Sequence, residues 1–213
     1  MALTDLFTRR RKEESDAEPG VSDGPVQPTK ALARFLASLS AREQPRLLDL
    51  GPVVGSNVNF FGEQLGCKIF VEDLSKDVDR FVRDGKIDEL PAHFTKRFPQ
   101  ADDSIDGILC WDLFDYIDKA GAQALATQLA RILRPDGVLL AMFSTAELKP
   151  GAAATYTRHL VVDPTSLQAR PYPAARGKQR PLLNRDIIRM FEPLRVTEQF
   201  LLKSNVREVL FRK

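Results

Sequence analysis

The sequence predicts an α/β fold in which a mostly parallel sheet is covered by helices on both faces. Short continuous apolar segments alternate along the chain with segments of helical periodicity, as expected for strands that are buried on both faces. One stretch, RLLDLGPVVGSNVNFF (46–61), passes from an apolar run through two glycines into a helical pattern. This order is typical of a strand, a tight turn and a helix, the repeating unit of such folds.

Size and composition indicate one folded domain. A chain of 213 residues can bury a full core without disulfides or metals. The 31 Lys and Arg residues nearly balance the 29 Asp and Glu residues, and the net charge of +2 gives no reason to expect nucleic acid or a membrane surface as partner. Because the sequence lacks a long apolar run and a signal-peptide core, we predict a cytoplasmic protein with no transmembrane segment.

The predicted domain spans residues 29–213, preceded by a flexible leader. Residues 1–28 pass from a basic patch into an acidic segment with Gly and Pro but few large apolar residues, a composition that disfavours folding. A helix is then predicted from ALARFLASLS (31–40), with Thr29 as its cap and Pro45 beyond its end.

The first strand, turn and helix form the candidate ligand site. Leu47 to Leu50 are predicted to form the strand, Gly51 and Gly55 the turn, and the helix is expected to begin near Ser56 or Asn57. Free backbone N–H groups at the helix start favour an anionic or electron-rich ligand. An ordinary turn without a ligand has the same pattern, so this stretch alone leaves both interpretations open.

Further strands and helices follow in alternation. CKIFVEDL (67–74) is predicted as the second strand, and residues 75–100 as a helix and a weak third strand. The apolar run 105–111, an alanine-rich helix over 120–133 and VLLAMFS (138–144) complete the parallel units.

The last part of the chain has a different composition. Residues 150–183 are rich in proline and small residues, and we predict a loop-rich segment that shapes or covers the site. Its basic residues, which include Arg170 and Lys178, are expected either to hold an acidic acceptor or to be solvated. A helix capped by Asn184 follows, and VTEQFLLKS and VREVLFRK are predicted to form an antiparallel hairpin.

Five stretches line up, in order, with the motifs of one family. LLDLGPVVGS (47–56) resembles its acidic, glycine-rich first motif, VEDLS (71–75) the end of its second strand, and DDSIDGILCWDLFDYI (102–117) its fourth strand. LRPDGVLLAMFS (133–144) resembles the fifth strand, and the closing hairpin matches the sixth and an inserted antiparallel seventh. The sequence therefore resembles the class I S-adenosylmethionine-dependent methyltransferases. This resemblance implies a Rossmann-like fold with a seven-stranded, mostly parallel sheet.

The resemblance also implies S-adenosyl-L-methionine as cofactor. The first motif would lie under the amino acid part of the cofactor, and Asp73 would accept hydrogen bonds from the ribose hydroxyls, with Glu72 as the alternative if the strand ends one residue earlier. The residues that the resemblance assigns to cofactor binding are Asp49, Gly51, Pro52, Gly55, Asp73, Leu74, Cys110, Trp111 and Asp112.

Two positions depart from the family pattern. Val53 stands where the family usually has its middle glycine, and residues 93–98 lack the acid that often holds the adenine amino group. An active methyltransferase and a catalytically inactive binding or scaffold module are therefore both consistent with the sequence. A nicotinamide-dependent dehydrogenase is disfavoured, because its third and sixth motif glycines are replaced by Val53 and Ser56.

The reaction requires few catalytic side chains, since methyl transfer depends mainly on the placement of donor and acceptor. Candidate bases are Asp112, Tyr116, Glu147 and His159. Asp112 is the candidate catalytic residue, because burial at a strand end would raise its pKa, although it would equally suit a helix cap or a ligand for the cofactor's amino group.

The acceptor is expected to be a small molecule or a protein. The residues CWDLF (110–114) lack the Asn-Pro-Pro-aromatic pattern of enzymes that methylate the amino groups of nucleic acid bases. His93 and His159 are isolated in the sequence and are expected to be ordinary loop or surface residues, so no metal site is predicted.

Overall fold

The computed structural model describes residues 24–146, 151 and 153–213. Its strands are β1 (Val26–Pro28), β2 (Arg46–Asp49), β3 (Lys68–Val71), β4 (Ile105–Trp111), β5 (Leu133–Ser144), β6 (Thr155–Asp163), β7 (Ser166–Pro173), β8 (Arg195–Leu201) and β9 (Val206–Arg212). Its α-helices are α1 (Ala31–Ser40), α2 (Gly55–Asn59), α3 (Leu74–Arg83), α4 (Leu90–Phe94), α5 (Lys119–Ile132) and α6 (Asn184–Met190).

Most strands of the described chain belong to one sheet, which we call the main sheet. Its order is β3-β2-β4-β5-β9-β8, with parallel pairing from β3 through β5. Strand β9 is antiparallel to both β5 and β8, so it lies inserted between them. The α/β fold class, the mostly parallel sheet and the C-terminal antiparallel hairpin are confirmed.

Within the described residues the main sheet has six strands rather than seven, because the weak third strand does not form. Residues 74–94 fold instead as α3, a 3₁₀ turn (Ile87–Glu89) and α4. Leu74 and Val78 are fully buried on one side of α3, and Leu90 and Phe94 on one side of α4. Helical spacing of the apolar residues therefore decides the structure of this stretch.

Successive residues of the inner strands face two different cores. Leu48 and Ile108 pack with α3 to α6 on one face of the main sheet. Leu47 and Leu109 pack with α1 on the other face. Because neighbouring side chains of a strand point to opposite faces, this alternation buries the strands on both sides. The expected helices on both faces are confirmed.

A second, smaller sheet replaces much of the loop-rich segment predicted for residues 150–183. Strands β6 and β7 form an antiparallel hairpin, and β1 pairs with β7 to give the order β1-β7-β6, which we call the small sheet. The prolines that suggested a loop, Pro171 and Pro173, lie on β7 beyond its three paired positions with β1. One side of β7 is unpaired there, and such an edge tolerates proline.

Strand β1 also changes the predicted domain boundary. Val26–Pro28 is paired with Ser166, Leu167 and Gln168, so the end of the predicted leader is ordered. The prediction for residues 1–23 lies outside the described residues. In the chain that the structure describes, no helix is both long and apolar enough to cross a membrane.

Gly107→Ala is expected to lower the free energy of unfolding by about 1–3 kcal/mol, because it overpacks the contact between β4 and α1. A Cβ at Gly107 would lie 2.7 Å from Cδ2 of Leu39 and 3.0 Å from Cζ of Phe35, both in the core. Urea unfolding measures the change. Gly62→Ala is the control, since its Cβ would meet Ile69 at an ordinary 3.6 Å. Equal stability of the two variants would show that α1 moves aside freely.

Candidate active site

The carboxylate of Asp49 marks the centre of the site at the carboxyl ends of the parallel strands. Asp49 is the last residue of β2 and is buried. Its Oδ1 accepts hydrogen bonds from the backbone N–H of Gly51 (2.9 Å) and from the indole Nε1 of Trp111 (2.7 Å). Burial raises the pKa of Asp49 to about 6, and these two hydrogen bonds oppose the rise.

Trp111 explains why a glycine follows β2. A Cβ at Gly51 would lie 2.8 Å from Cδ1 of the Trp111 ring, so a larger residue would displace the indole. Trp111 itself has a φ of +49°, a strained conformation for a bulky side chain. The turn therefore permits a close approach, and it is the protein's own indole that makes this approach.

Val53 does not fill the crevice, although it replaces the family's middle glycine. Its side chain is 66% exposed, and the residue is not among those that line the crevice beyond the strand ends. The departure at this position thus leaves the space above the turn free of the valine side chain.

Helix α2 begins at Gly55, close to the predicted start, but without a side-chain cap. It continues as a π-helical turn, Phe60–Gln64, and Gly66 follows with a φ of +66°. Asn57 is buried and contacts β6: its Nδ2 donates to the carbonyl of His159 (2.7 Å), and its Oδ1 accepts from the N–H of Val161 (2.8 Å). Asn57 thereby anchors the small sheet to the glycine turn.

The two candidate ribose acids have different surroundings. Glu72 forms an ion pair with Arg97 at 2.8 Å, so its carboxylate already has a partner within the protein. Asp73 lies between β3 and α3, where it accepts from the Ser75 hydroxyl (2.5 Å) and pairs with Lys76 (3.3 Å). The cation paired with Asp73, Lys76, is thus exposed to solvent, whereas Arg97 beside Glu72 is largely buried.

Leu74, which the resemblance assigns to cofactor binding, has a fully buried side chain that packs into the core under α3. Only its backbone remains as a contact for a ligand. Cys110 is also fully buried, and burial raises the pKa of its thiol. With Gly51, Pro52, Trp111 and Asp112, Cys110 does line the crevice, whereas Gly55 does not.

The crevice is nearly filled by the small sheet. Tyr156 of β6 and Tyr172 of β7 line it beside Tyr116, with centroid distances of 4.6 Å between Tyr116 and Tyr156 and 5.4 Å between Tyr156 and Tyr172. The remaining cavity is about 20 Å³. This is room for about one or two water molecules.

Four charged or titratable side chains meet at the end of β4. Asp112 contacts His159 Nε2 through Oδ1 (3.2 Å) and Lys178 Nζ through Oδ2 (3.0 Å). Lys178 also reaches Asp115 (2.9 Å), whose carboxylate accepts the N–H of Ser144. His159 and Lys178 are 47 and 66 residues away from Asp112 in the sequence, so no local pattern predicted that these side chains form a cluster.

The expectation of a raised pKa for Asp112 is wrong. Burial by itself acts in that direction, but the hydrogen bond and charge of His159 and the charge of Lys178 outweigh it, and the pKa lies well below its usual range. A carboxylate held in this way is a weak base. Asp115, which lies close to the same ammonium, has a pKa raised to about 6, chiefly by burial.

The structure also describes two of the other three candidate bases, Tyr116 and His159. Tyr116 is buried, donates to the carbonyl of Thr155 (2.7 Å), and has a pKa raised far above its usual range by burial, so it does not act as a base. Glu147 lies outside the described residues. His159 was expected to be an ordinary loop or surface residue. Instead it belongs to β6, and its ring stacks on that of Trp111, with 5.2 Å between the ring centroids and 12° between the ring planes.

Several site residues were not predicted as such. Asp115 follows Asp112 at a spacing of three, and this repeated acid in WDLFD was the one local signal available. Asn57, Tyr156 and Tyr172 act across the two sheets, and no local pattern marks them. Within the residues that the structure describes, no group of three or more His, Cys, Asp and Glu side chains is arranged to hold a metal.

A family model described as a methyltransferase domain matches residues 25–192, most of the chain, including β2 to β7. The chain belongs to the class I S-adenosylmethionine-dependent methyltransferase family. No curated protein matches its sequence. The family match includes the strand-end acids and the small sheet, so the hairpin lies within the matched domain.

Several solved structures are similar to this chain, and two of those reported below have a TM-score above 0.5, which indicates a shared fold. The PH0226 protein of Pyrococcus horikoshii OT3 is 13% identical, with 85% of this chain and 88% of that chain covered and a TM-score of 0.51. The cyclase SpnF is 11% identical, with coverage of 86% and 80% and a TM-score of 0.51. A 1,6-didemethyltoxoflavin-N1-methyltransferase of Burkholderia thailandensis is 14% identical, with coverage of 86% and 77% and a TM-score of 0.49.

Asp49→Asn is expected to raise the free energy of unfolding at about pH 7.5, by up to about 3 kcal/mol, because its raised pKa means that the buried charge opposes folding. In the wild type this penalty grows as the pH rises from 3.8 to about 6, and the variant should lose that dependence. Urea unfolding at acidic and neutral pH measures both effects.

Asp112→Asn is the matched comparison and is expected to act in the opposite direction. Because folding lowers the pKa of Asp112 in the wild type, its ionised carboxylate stabilises the fold above pH 3.8, and this stability is lost on acidification. The variant should therefore be less stable than the wild type near neutral pH. A change of the same sign in both variants would contradict the assigned electrostatics.

Proposed function

We propose that this domain binds S-adenosyl-L-methionine in the crevice beyond β2, β3 and β4 and transfers its methyl group to a small-molecule or protein acceptor. The observation that carries the proposal is the pair of acids at the ends of two adjacent strands, Asp49 on β2 and Asp73 after β3, with Gly51 beside the first. In open α/β sheets, ligands bind at this edge.

The proposed cofactor contacts follow from this arrangement. Asp73 would accept the ribose hydroxyls, since a carboxylate can take two hydrogen bonds from a vicinal diol. The backbone from Gly51 through Pro52 to Gly55 would approach the amino acid part. On the opposite wall, Cys110 and Trp111 would lie against the adenosyl group, Asp112 would face the amino group of the cofactor, and Leu74 would contribute its backbone alone.

Asp112 suits an electrostatic role better than that of a base. His159 and Lys178 keep its carboxylate ionised, which favours a contact with a cationic group of the cofactor, such as the amino group. Methyl transfer from a sulfonium is accelerated mainly by holding donor and acceptor in line. The residues around the crevice would therefore act by placement and charge.

Cofactor binding requires the small sheet to move. A cavity of about 20 Å³ is far below the roughly 300–1,000 Å³ of small-molecule pockets. The closed arrangement is held at Asp79 of α3, whose Oδ1 accepts from the hydroxyl of Tyr156 (2.8 Å) and the N–H of Ala175 (2.9 Å). Tyr172 adds a hydrogen bond to Ser75 (3.0 Å). We infer that these contacts open while Asn57 keeps β6 attached.

A second candidate is a binding or scaffold module without methyl transfer. The filled crevice favours it, because the side chains that close the site are buried and hydrogen-bonded rather than loosely placed. The likeness to the cyclase SpnF also illustrates that this fold serves different reactions. Binding of cofactor is the measurement that separates the two candidates.

A cytoplasmic location is part of the same proposal. Cys67 and Cys110 are both buried free thiols, as is common in proteins of reducing compartments. The nearly balanced net charge of the chain supports a small molecule or a protein, rather than nucleic acid, as acceptor.

S-Adenosylhomocysteine is expected to bind and to raise the melting temperature of the domain, because it binds the native state preferentially. Asp73→Asn should weaken this binding about tenfold or more, since a charge-assisted hydrogen bond to the ribose is lost. Isothermal titration calorimetry measures the affinity. Asp84→Asn, an exposed acid at the other end of α3, is the control. Absence of binding to the wild type would favour the scaffold module.

Asp79→Ala is expected to tighten the apparent affinity for S-adenosylhomocysteine, by up to about tenfold, because it removes two hydrogen bonds that hold the crevice closed. Asp77→Ala is the matched control on the same helix, since Asp77 contacts Arg80, Arg97 and His93 and no residue of the small sheet. Unchanged affinity in Asp79→Ala would argue against opening at this contact.

A further inference from the structure

A second, larger cavity lies between the small sheet and the face of the main sheet that carries α1. Its volume is about 200 Å³, about ten times that of the crevice. Apolar side chains from both sheets line it, among them Met142, Leu167 and Val206. Its polar lining includes Asp112, which also lines the crevice. The two cavities are therefore neighbours that share one carboxylate.

Glu208, on β9, lines this cavity with a carboxylate that is only half satisfied. The residue is 0% exposed. Its Oε2 accepts the backbone N–H groups of Lys30 and Ala31, each at 2.9 Å, at the start of α1. Its Oε1 is buried and has no hydrogen-bond partner among the described residues. A buried carboxylate oxygen without a donor is unfavourable, so this position lacks a donor that would complete it.

The basic side chains that line the cavity contact carboxylates other than that of Glu208. Lys178 lines the same space, but its ammonium contacts Asp112 at 3.0 Å and Asp115 at 2.9 Å. His159 faces Asp112 as well, at 3.2 Å. The lining thus contains three carboxylates and one lysine, and that lysine serves two of them. The oxygen Oε1 of Glu208 is therefore left without a basic side chain of the lining as its partner.

We propose that this cavity binds a small ligand with an aliphatic ammonium group, which donates a hydrogen bond to Oε1 of Glu208. The apolar body of the ligand packs between Met142 of β5 and Leu167 of β7, which face each other across the two sheets. A charge-assisted hydrogen bond satisfies the buried oxygen more strongly than a neutral donor would. Binding of the ammonium itself is independent of methyl transfer.

The position of this ligand also bears on the acceptor. Because Asp112 lines both cavities, a ligand in the larger cavity lies next to the crevice in which we place the cofactor. An amine-bearing acceptor would then enter from the side of β9 and α1. This last step rests on the proposed function, whereas the ammonium site does not.

The test uses the full chain with butylammonium and butanol as probes, in calorimetric titrations at neutral pH. Butylammonium is expected to bind about tenfold more tightly than butanol, as a charge-assisted contact predicts. Glu208→Gln should reduce the butylammonium affinity about tenfold and leave butanol unchanged. The amide oxygen of the variant can still accept from Lys30 and Ala31, which preserves the contact with α1.

Glu198→Gln is the control, because Glu198 lies on the neighbouring β8 and pairs with the exposed Arg34. Equal binding of the two probes, failure of both to bind, or unchanged butylammonium affinity in Glu208→Gln would overturn the proposal. Ala169→Leu, which fills the cavity from β7, provides a second variant should Glu208→Gln not fold. Ala169→Leu should weaken the binding of both probes, and unchanged affinities in this variant would also overturn the proposal.

Separate titrations with S-adenosylhomocysteine keep the two proposals distinguishable. Butylammonium binding without cofactor binding would leave the ammonium site standing and reject the proposed methyl transfer. Cofactor binding without a preference for butylammonium would reject the ammonium site and leave the proposed cofactor site standing.

Discussion

The hydrogen bond between the carboxylate of Asp49 and the indole of Trp111 joins the first parallel strand to the rest of the site. Trp111 has a strained backbone conformation, and its indole stacks on His159 of the small sheet. His159 contacts Asp112, and Asp112 shares Lys178 with Asp115. One contiguous series of contacts thus runs from β2 to the segment that follows β7.

Asp49 and Asp112 show how the partners of a buried acid decide its protonation. Both carboxylates are buried at the ends of neighbouring strands. Asp49 has neutral donors as its closest partners, which compensate only part of the loss of solvation, and its pKa rises. Asp112 contacts His159 and the ammonium group of Lys178, and its pKa falls. Burial alone is therefore a poor guide to which acid in a strand-end site can accept a proton.

The small sheet determines the size of both cavities. Its tyrosines reduce the crevice at β2 and β4 to about 20 Å³, whereas its β1 and β7 side leaves about 200 Å³ above β5 and β9. The same element therefore closes the crevice in which we propose that the cofactor binds, and it creates a second space beside that crevice. Glu208 connects this space to α1, because its carboxylate binds the first backbone groups of that helix.

Local patterns in the sequence determined the main features of the fold. Apolar runs and helical periodicity predicted the parallel strands and most of the helices, and the order of the motifs predicted the family. The family resemblance assigned Asp49 and Asp73 to cofactor binding, and the end of the apolar run at 67–71 marked Glu72 and Asp73 as acids at the end of a strand. Helical spacing at 74–94 was the stronger signal where a strand was also considered.

Only the tertiary structure decided what surrounds those acids. Tyr156, Tyr172 and Lys178 come from a proline-containing segment whose strands form by pairing with each other and with β1, and such pairing depends on distant residues rather than on local preference. The pKa of Asp112 likewise depends on His159 and Lys178, which are 47 and 66 residues away in the chain. The sequence by itself determined the order of the parallel strands and their helices; contacts between distant residues decided how the space beyond the strand ends is filled and charged.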